Sequence, residues 1–393
     1  MKRRAFLKGA GALTVLIAGG GVWRAYDQGV FSAGRGPAYA PWKSWDTDAG
    51  QWPLALVRAA ILASNPHNTQ PWLFKVTDRR IELYADTIRN LGTFDPYLRE
   101  MHLGLGCALE NMVLAAMANG YGAEVTLSGG MLGPIPSTPE PTLVASIDLS
   151  PGKQERSSLY EVIPQRHTNR GAYNPERSLS PEALGEIRRV AENDPEVNIF
   201  LYTAEADKAK FGDAVVKATE VIIADATMVH DSERWFRHSW ADVQKSRDGP
   251  TLDAAGLPPL MTAIAKILPP PSADTSHKYW LDATRDVHVA TSPVFGLIAV
   301  RDLYDRAQTM RAGRVWQRMH LWATSQGIAM QPLNQPVEMV DRERELNREP
   351  NAAQVLADLI GDPNWKPTFA FRAGYPERTV LASPRRPVEQ VVV

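Results

Sequence analysis

Helical and strand periods alternate along the chain from Trp42 onward instead of segregating into blocks, and a long helix closed by glycine occurs in each half. A length of 393 residues with 44% hydrophobic content allows a sizeable buried core. These observations predict an α+β protein of two tandem halves, packed as an internal pseudo-dimer around mixed or antiparallel sheets. The expected organisation is an address and linker over 1–40, a first half over 41–150 and a second half over 151–393.

The first 22 residues read as an address. Lys2, Arg3, Arg4 and Lys8 precede the apolar, glycine-rich stretch 9–22, a basic region followed by a modest hydrophobic one that resembles a twin-arginine signal. That stretch is shorter than the roughly 20 residues a spanning helix prefers. Export to the periplasm by the twin-arginine machinery is expected, with a retained N-terminal membrane anchor as the second reading. Ala38-Tyr39-Ala40 has a small-x-small form, but Pro41 opposes cleavage there.

Beyond the address, a helix is predicted over Pro53–Ala63 and strands over Trp72–Val76 and Ile81–Ala85. A long helix over Arg99–Asn119 is stopped by Gly120, Glu124–Leu127 reads as a strand, and Gly129–Pro141 as a surface loop or joint. In the second half, Ser180, Pro181 and Glu182 combine an N-cap, an N1 proline and an acidic first turn, with Leu184, Ile187 and Val190 as the buried stripe. Val197–Tyr202 and Thr368–Arg372 read as strands; Arg311–Gln326 and Asn351–Ile360 read as helices ended by Gly327 and Gly361. The helix ends Asn111–Gly120 and Arg318–Gly327 form a weak internal repeat.

Several chemistries are disfavoured. A net charge of −1, with no basic stripe interleaved with aromatics, argues against nucleic acid as a partner. The single cysteine, Cys107, rules out an internal disulfide framework and sits in an apolar helical run as a core thiol. The eight histidines never fall in HExxH or a comparable spacing, so no metal is implied. Ala323–Gly327 lacks the first glycine of a nucleophile elbow.

Two segments carry the candidate site. Arg166-His167-Thr168-Asn169-Arg170 sets two guanidinium forks around a hydroxyl, which suits a phosphate monoester; a solvated basic loop is the alternative. Ser64-Asn65-Pro66-His67-Asn68-Thr69-Gln70-Pro71-Trp72 offers side-chain amides that donate and accept at once, as a heterocycle edge alternating acceptors and a donor requires. An Asx-turn between two prolines ahead of a strand is the alternative there.

On these segments, from about Val57 onward, the chain resembles the nitroreductase family of flavoproteins, and more closely its duplicated, single-chain, Acg-like branch. The resemblance implies a nitroreductase-like fold binding FMN. Ser64, Asn65, Asn68 and Gln70 would contact the flavin, and Arg166, Thr168 and Arg170 its phosphate. In Gly327–Asn334, Pro332, Leu333 and Asn334 would lie nearest the reactive edge of the isoalloxazine ring. Arg385 and Arg386, in Ser383-Pro384-Arg385-Arg386-Pro387, would bring further arginine to the phosphate.

The implied activity is electron transfer from a small-molecule donor to a nitroaromatic, quinone or similar acceptor, with no acid–base residue assigned. The first half has no counterpart of 166–170, Arg58 being the only arginine in its first predicted helix, so one FMN site is expected, with Asn65 and Asn68 facing Arg166 and Arg170. An internal pseudo-dimer allows a monomer. The segment 228–290, with Trp235, Phe236, Trp240, Trp280 and Pro269–Pro271, is either a lid over the flavin or a helical excursion that packs the halves together. Nicotinamide donors are cytosolic, so an exported chain keeps a second reading open: a flavin-binding or sequestering protein with a lidded site and little turnover.

Overall fold

Apolar residues alternate through the short segments flanking Asp78 and then repeat at helical spacing from Met101, and the chain follows both periods. The computed structural model describes residues 21–46 and 52–393; the basic and apolar address before residue 21 lies outside the described residues. A short helix α1 covers 21–27, and α2 spans Leu54–Ala60. It is shorter than predicted because the chain tightens into i→i+3 bonds, Leu62 and Ala63 donating to Ala59 and Ala60, before Ser64.

Strands β1 (Trp72–Val76) and β2 (Arg80–Ala85), helix α3 (Arg99–Ala118), and strands β3 (Tyr121–Leu127) and β4 (Thr142–Pro151) follow. They form an antiparallel sheet in the order β1-β2-β4-β3. After α4 (Pro181–Arg189) come β5 (Val197–Tyr202), α5 (Glu205–Ala224), α6 (Pro259–Ile267), β6 (Val294–Val300), α7 (Arg306–Ser325), β7 (Ala329–Pro332), α8 (Gln335–Glu345), α9 (Asn351–Ile360) and β8 (Lys366–Gly374). The second antiparallel sheet has the order β5-β6-β8-β7. Each sheet carries a register break between its second and fourth strands, at Leu83/Tyr84 and at Ile298/Ala299.

Strands β4, β6 and β7 and helix α5 were not among the predicted elements. β6 is buried at all seven positions between β5 and β8, so its sequence is a continuous apolar run without the alternation that marks a half-exposed strand. Segment 228–290 is largely helical, with short helices at Ala226–Glu233, Trp240–Ser246 and Ala273–Asp282 besides α6. It packs onto the first half: Asp231 accepts from the Thr93 amide and hydroxyl, both at 2.8 Å, and the Trp235 indole donates to the Asn90 carbonyl at 3.1 Å.

The two halves meet along α3 and α7. A Cβ on Gly106 would lie 2.2 Å from the Met310 carbonyl oxygen, and one on Gly313 would lie 2.1 Å from that of Leu103, so the backbones touch where these glycines cross. Polar bonds flank the crossing: Gln317 donates to Asn111 at 2.9 Å, and Asn111 to the Ala59 carbonyl at 2.8 Å. Glu110 takes Arg314 and Arg318. Among the described residues α3 alone is long and apolar enough to cross a membrane, yet 89% of its apolar window is buried inside the fold. The C-terminal residues return to the first sheet, where the Phe74 amide donates to Val391 at 2.8 Å and the Val393 amide to Phe74 at 2.9 Å.

Replacing Gly313 with alanine should lower the urea midpoint by the equivalent of about 2 kcal/mol, because the added methyl meets backbone that cannot swing away. Gly327→Ala, at a helix end with φ 68° and nothing within 4 Å of the new Cβ, should cost only about 1 kcal/mol.

Candidate functional site

A small cleft with about 30 Å³ of free space is lined by Trp42, Ser64, Asn65, Asn68, Arg166, His167, Thr168, Arg170, Ser383 and Arg385. Helix α7 lies behind the lining and holds two of its residues. Trp316 donates its indole N–H to the Ser64 hydroxyl at 3.2 Å, Gln317 accepts the Ser64 amide at 3.1 Å, and His320 Nδ1 lies 3.5 Å from the Arg166 guanidinium. One helix face therefore holds a residue of the first half and a residue of the second at fixed separation.

The charge in the cleft is uncompensated. Arg166 and Arg385 are 2% and 3% exposed, and neither they nor Arg170 make an ion pair with a carboxylate among the described residues. Their contacts are neutral: Arg166 to the Leu62 carbonyl at 3.2 Å, Arg170 to that of Ala254 at 3.2 Å, Arg385 to those of Pro384 and Ala63 at 2.9 and 3.2 Å. The Nε–H groups of Arg166 and Arg385 are buried with no partner. Burial lowers the Arg166 pKa to about 10; it also lowers that of Arg385 well below its usual value, reinforced by Arg166. Burying guanidinium without a counter-ion is costly, and the arrangement has the donors to hold an anion with several acceptor oxygens. Thr168 adds a hydroxyl to the lining.

The amide side fits differently from the expectation. Asn65 accepts the Gln70 amide at 2.8 Å and donates to the Ala63 carbonyl at 3.2 Å, closing the loop across five residues where an Asx-turn would close across two. Asn68 donates to the Gly249 and Pro384 carbonyls and accepts from Arg385. Gln70 donates to the Arg247 carbonyl at 2.8 Å and accepts the Arg386 amide at 2.7 Å. These amides, expected to read a heterocycle, are consumed in building the loop, and His67, Asn68 and Gln70 have φ of 45°, 53° and 52°. Left-handed backbone at His67 and Gln70 is strained and is held by these bonds.

Residues 247–256 run across this loop as a strap. The Gly249 amide donates to the Asn68 carbonyl at 3.1 Å. At Gly256, with φ 80°, a Cβ would stand 2.4 Å from the Arg170 carbonyl carbon, so only glycine permits the approach. Asp248, 5% exposed, takes both Arg89 and Arg237 and pins the strap.

Seven of the expected contacts, Ser64, Asn65, Asn68, Arg166, Thr168, Arg170 and Arg385, line the one cleft. Five do not. Gln70 and Arg386 clamp each other beside it, the Arg386 guanidinium donating to the Gln70 carbonyl at 3.2 Å. Pro332 ends β7, and Leu333 is buried in a separate core with Tyr202, Phe211 and Phe295. Asn334 bridges Glu100 at 2.9 Å and the Ala370 amide at 2.8 Å. Trp42, His167 and Ser383 were not expected as lining, although His167 and Ser383 lie inside the segments already singled out.

Asn334 belongs to a buried acid cluster. Arg99 bonds Asp341 through Nε at 2.9 Å, Tyr304 donates to Asp341 at 2.8 Å, and Asp95 accepts the Glu100 and Met101 amides. Asp95, Glu100, Glu338 and Asp341 are all at most 6% exposed, with Arg99 the one cation among them. Burial, reinforced by Asp95, raises the Glu100 carboxyl to about 8; burial raises Asp95 to about 6, and Glu338 well above its usual value with help from Glu100.

No family profile matches the chain. The chain is 26% identical over 368 residues to a Mycobacterium tuberculosis protein provisionally named an NAD(P)H nitroreductase, Rv3131; the match covers 91% of this chain and 95% of that one. A second protein of the same organism and provisional name, acg, is 26% identical over 349 residues, covering 85% of this chain and 93% of that one. Two solved structures overlap part of the fold. They are an FMN-dependent nitroreductase, NfnB, from Mycobacterium smegmatis in complex with NADPH (16% identity, TM-score 0.35, 59% of this chain and 96% of that one) and a nitroreductase with bound FMN from Bacteroides fragilis (15%, TM-score 0.34, 59% and 95%).

The acid cluster sets a pH dependence with a definite sign. Five buried histidines, His67, His102, His167, His288 and His320, are lowered by burial, so near pH 6.5 only the unfolded chain binds their protons and stability rises with pH; that slope fades about one pH unit higher. Glu100, raised from 4.5 to about 8, contributes stability that is full below pH 4.5 and lost as pH rises through 8. The melting temperature should therefore fall only above about pH 7.5, as pH rises through the Glu100 value of about 8, and Glu100→Gln should flatten that fall; an unchanged slope in the variant would show that Glu100 carries no extra proton.

Proposed function

We propose that this chain is a nitroreductase-type flavoprotein that holds one FMN between its tandem halves, arranged as an internal pseudo-dimer. It would take electrons from a small-molecule, NAD(P)H-type donor and pass them to a nitroaromatic, quinone or similar acceptor. The observation that carries the reading is the set of guanidinium groups without carboxylate partners, buried Arg166 and Arg385 and half-buried Arg170, beside a hydroxyl at Thr168. It is supported by the nitroreductase-like sequence over nine-tenths of the chain.

The residues present fit the phosphate end of FMN. Arg166 and Arg385 would turn their orphaned Nε–H groups to the phosphate oxygens, and Arg170 and Thr168 would add further donors. Bound FMN supplies hydride acceptance and electron release, chemistry that no side chain of the cleft offers. The ring end fits less directly: the amides of Asn65, Asn68 and Gln70 are internally bonded and 332–334 lie outside the cleft. The strap 247–256 would have to shift to free Asn68 and Gln70, and in its closed position it would shield a bound ring from water.

That closure favours the second reading, an exported flavin-binding or sequestering protein with little turnover. Export by the twin-arginine route remains part of either proposal; so do the boundaries at 40 and 150 and the lid role of 228–290.

Purified protein should show flavin absorbance at one FMN per chain. Anaerobic NADPH or NADH should bleach it if the chain is an oxidoreductase, and leave it oxidised if it only stores flavin. Arg166→Ala should weaken FMN retention by about tenfold or more, and Thr168→Ala by less, whereas exposed Arg344→Ala should leave it unchanged. Equal retention in all three folded variants would place the phosphate elsewhere.

A further inference from the structure

Helix α6 is built inside out. Between residues 254 and 273 the chain carries a single charged side chain, Lys266. That side chain is the buried one, its Nζ held by Asp253 at 2.7 Å and by the Gly29 carbonyl at 3.3 Å. Leu260, Met261, Ile264 and Leu268, at spacings that share one helical face, point outward, Leu260 being 72% exposed. A surface helix of a water-soluble fold normally shows the opposite arrangement.

Helix α1 lies beside α6 and is apolar on its exposed side too. Val22, Trp23 and Tyr26 share one side of it and are exposed, as is Phe31 just beyond. Arg24 donates its Nε–H to the Ile267 carbonyl, and Lys266 reaches Gly29, so α1 and α6 are tied side by side. Gly29 lies so close to the Trp240 ring that no Cβ would fit between them, which fixes the turn after α1. Two separately encoded elements thus present apolar side chains together, the arrangement expected of a contact surface rather than of scattered exposed residues.

The described chain begins at this face. Immediately before it in sequence stand 9–20, without a charged residue, and before those Lys2, Arg3, Arg4 and Lys8. Basic charge followed by apolar sequence matches an anionic lipid surface and its acyl layer, and it feeds directly into α1. We propose that the α1–α6 face rests in the interfacial layer of an anionic bilayer, with Leu260, Met261, Ile264 and Leu268 at the acyl boundary and Trp23 and Tyr26 at headgroup level. Tryptophan and tyrosine favour that level because each joins an apolar ring to a polar tip. The proposal is independent of whether flavin binds.

The full chain carrying Ile264→Cys, labelled with an environment-sensitive fluorophore, tests it. Native Cys107 is buried and stays unlabelled. With phosphatidylglycerol–phosphatidylethanolamine vesicles containing brominated acyl chains, the label should be quenched and blue-shifted, while a label at exposed Arg348→Cys should not change. The triple variant Leu260→Ser, Ile264→Ser, Leu268→Ser should bind vesicles about tenfold more weakly or worse, with an unchanged melting temperature. Unquenched label on vesicle-bound protein, no vesicle binding, or undiminished binding by the triple variant would overturn the proposal. So would a label already shielded without lipid: concentration-dependent shielding would mean a second copy, and concentration-independent shielding the chain's own N-terminal segment.

Discussion

The backbone contact of α3 with α7 at Gly106 and Gly313 is the constraint on which the rest depends. Because no side chain separates the helices there, the register between the halves is set to within a fraction of a residue, and Asn111–Gln317 pins it with a buried polar bond. The same turns of α7 then present Trp316, Gln317 and His320 toward Ser64 and Arg166. A shift along this crossing would move both walls of the cleft relative to each other, so the packing of the core and the geometry of the site are one property.

Electrostatically the molecule separates its buried charges. Four carboxyls gather around Arg99 at the start of α3, while Arg166 and Arg385 stand at the cleft without carboxylate partners. Bringing the two sets together would neutralise both and stabilise the fold. Their separation leaves a buried acid cluster whose carboxyls hold protons and a cleft whose positive charge no carboxylate of the described residues balances. Segment 228–290 links this cleft to the surface: its strap crosses Asn68 and Arg170, and its helix α6 carries the exposed apolar face.

Local chemistry was legible in the residues, and distant engagement was not. The alternation of Arg166, Thr168 and Arg170 is visible within five positions, and these side chains do line one cleft with Asn65 and Asn68. The same reading could not foresee that the amide of Asn68 is taken by Gly249, 181 positions away, or that Leu333 packs under Phe211 instead of beside the cleft. The helices of the predicted repeat were readable because glycine closes them, whereas β6, buried on both faces, lacks any period to read. The inside-out polarity of α6 is likewise invisible in sequence, since it depends on Asp253 drawing Lys266 inward.

If the arginine-lined cleft is a phosphate site, the phosphate should dominate recognition. Calorimetric titration of flavin-free protein with FMN and with riboflavin, which share the ring and differ by the phosphate, measures this directly. The account predicts that FMN binds at least about 100-fold more tightly than riboflavin, the worth of two or more charge-assisted bonds to buried guanidinium groups. Equal affinities for the two would contradict it.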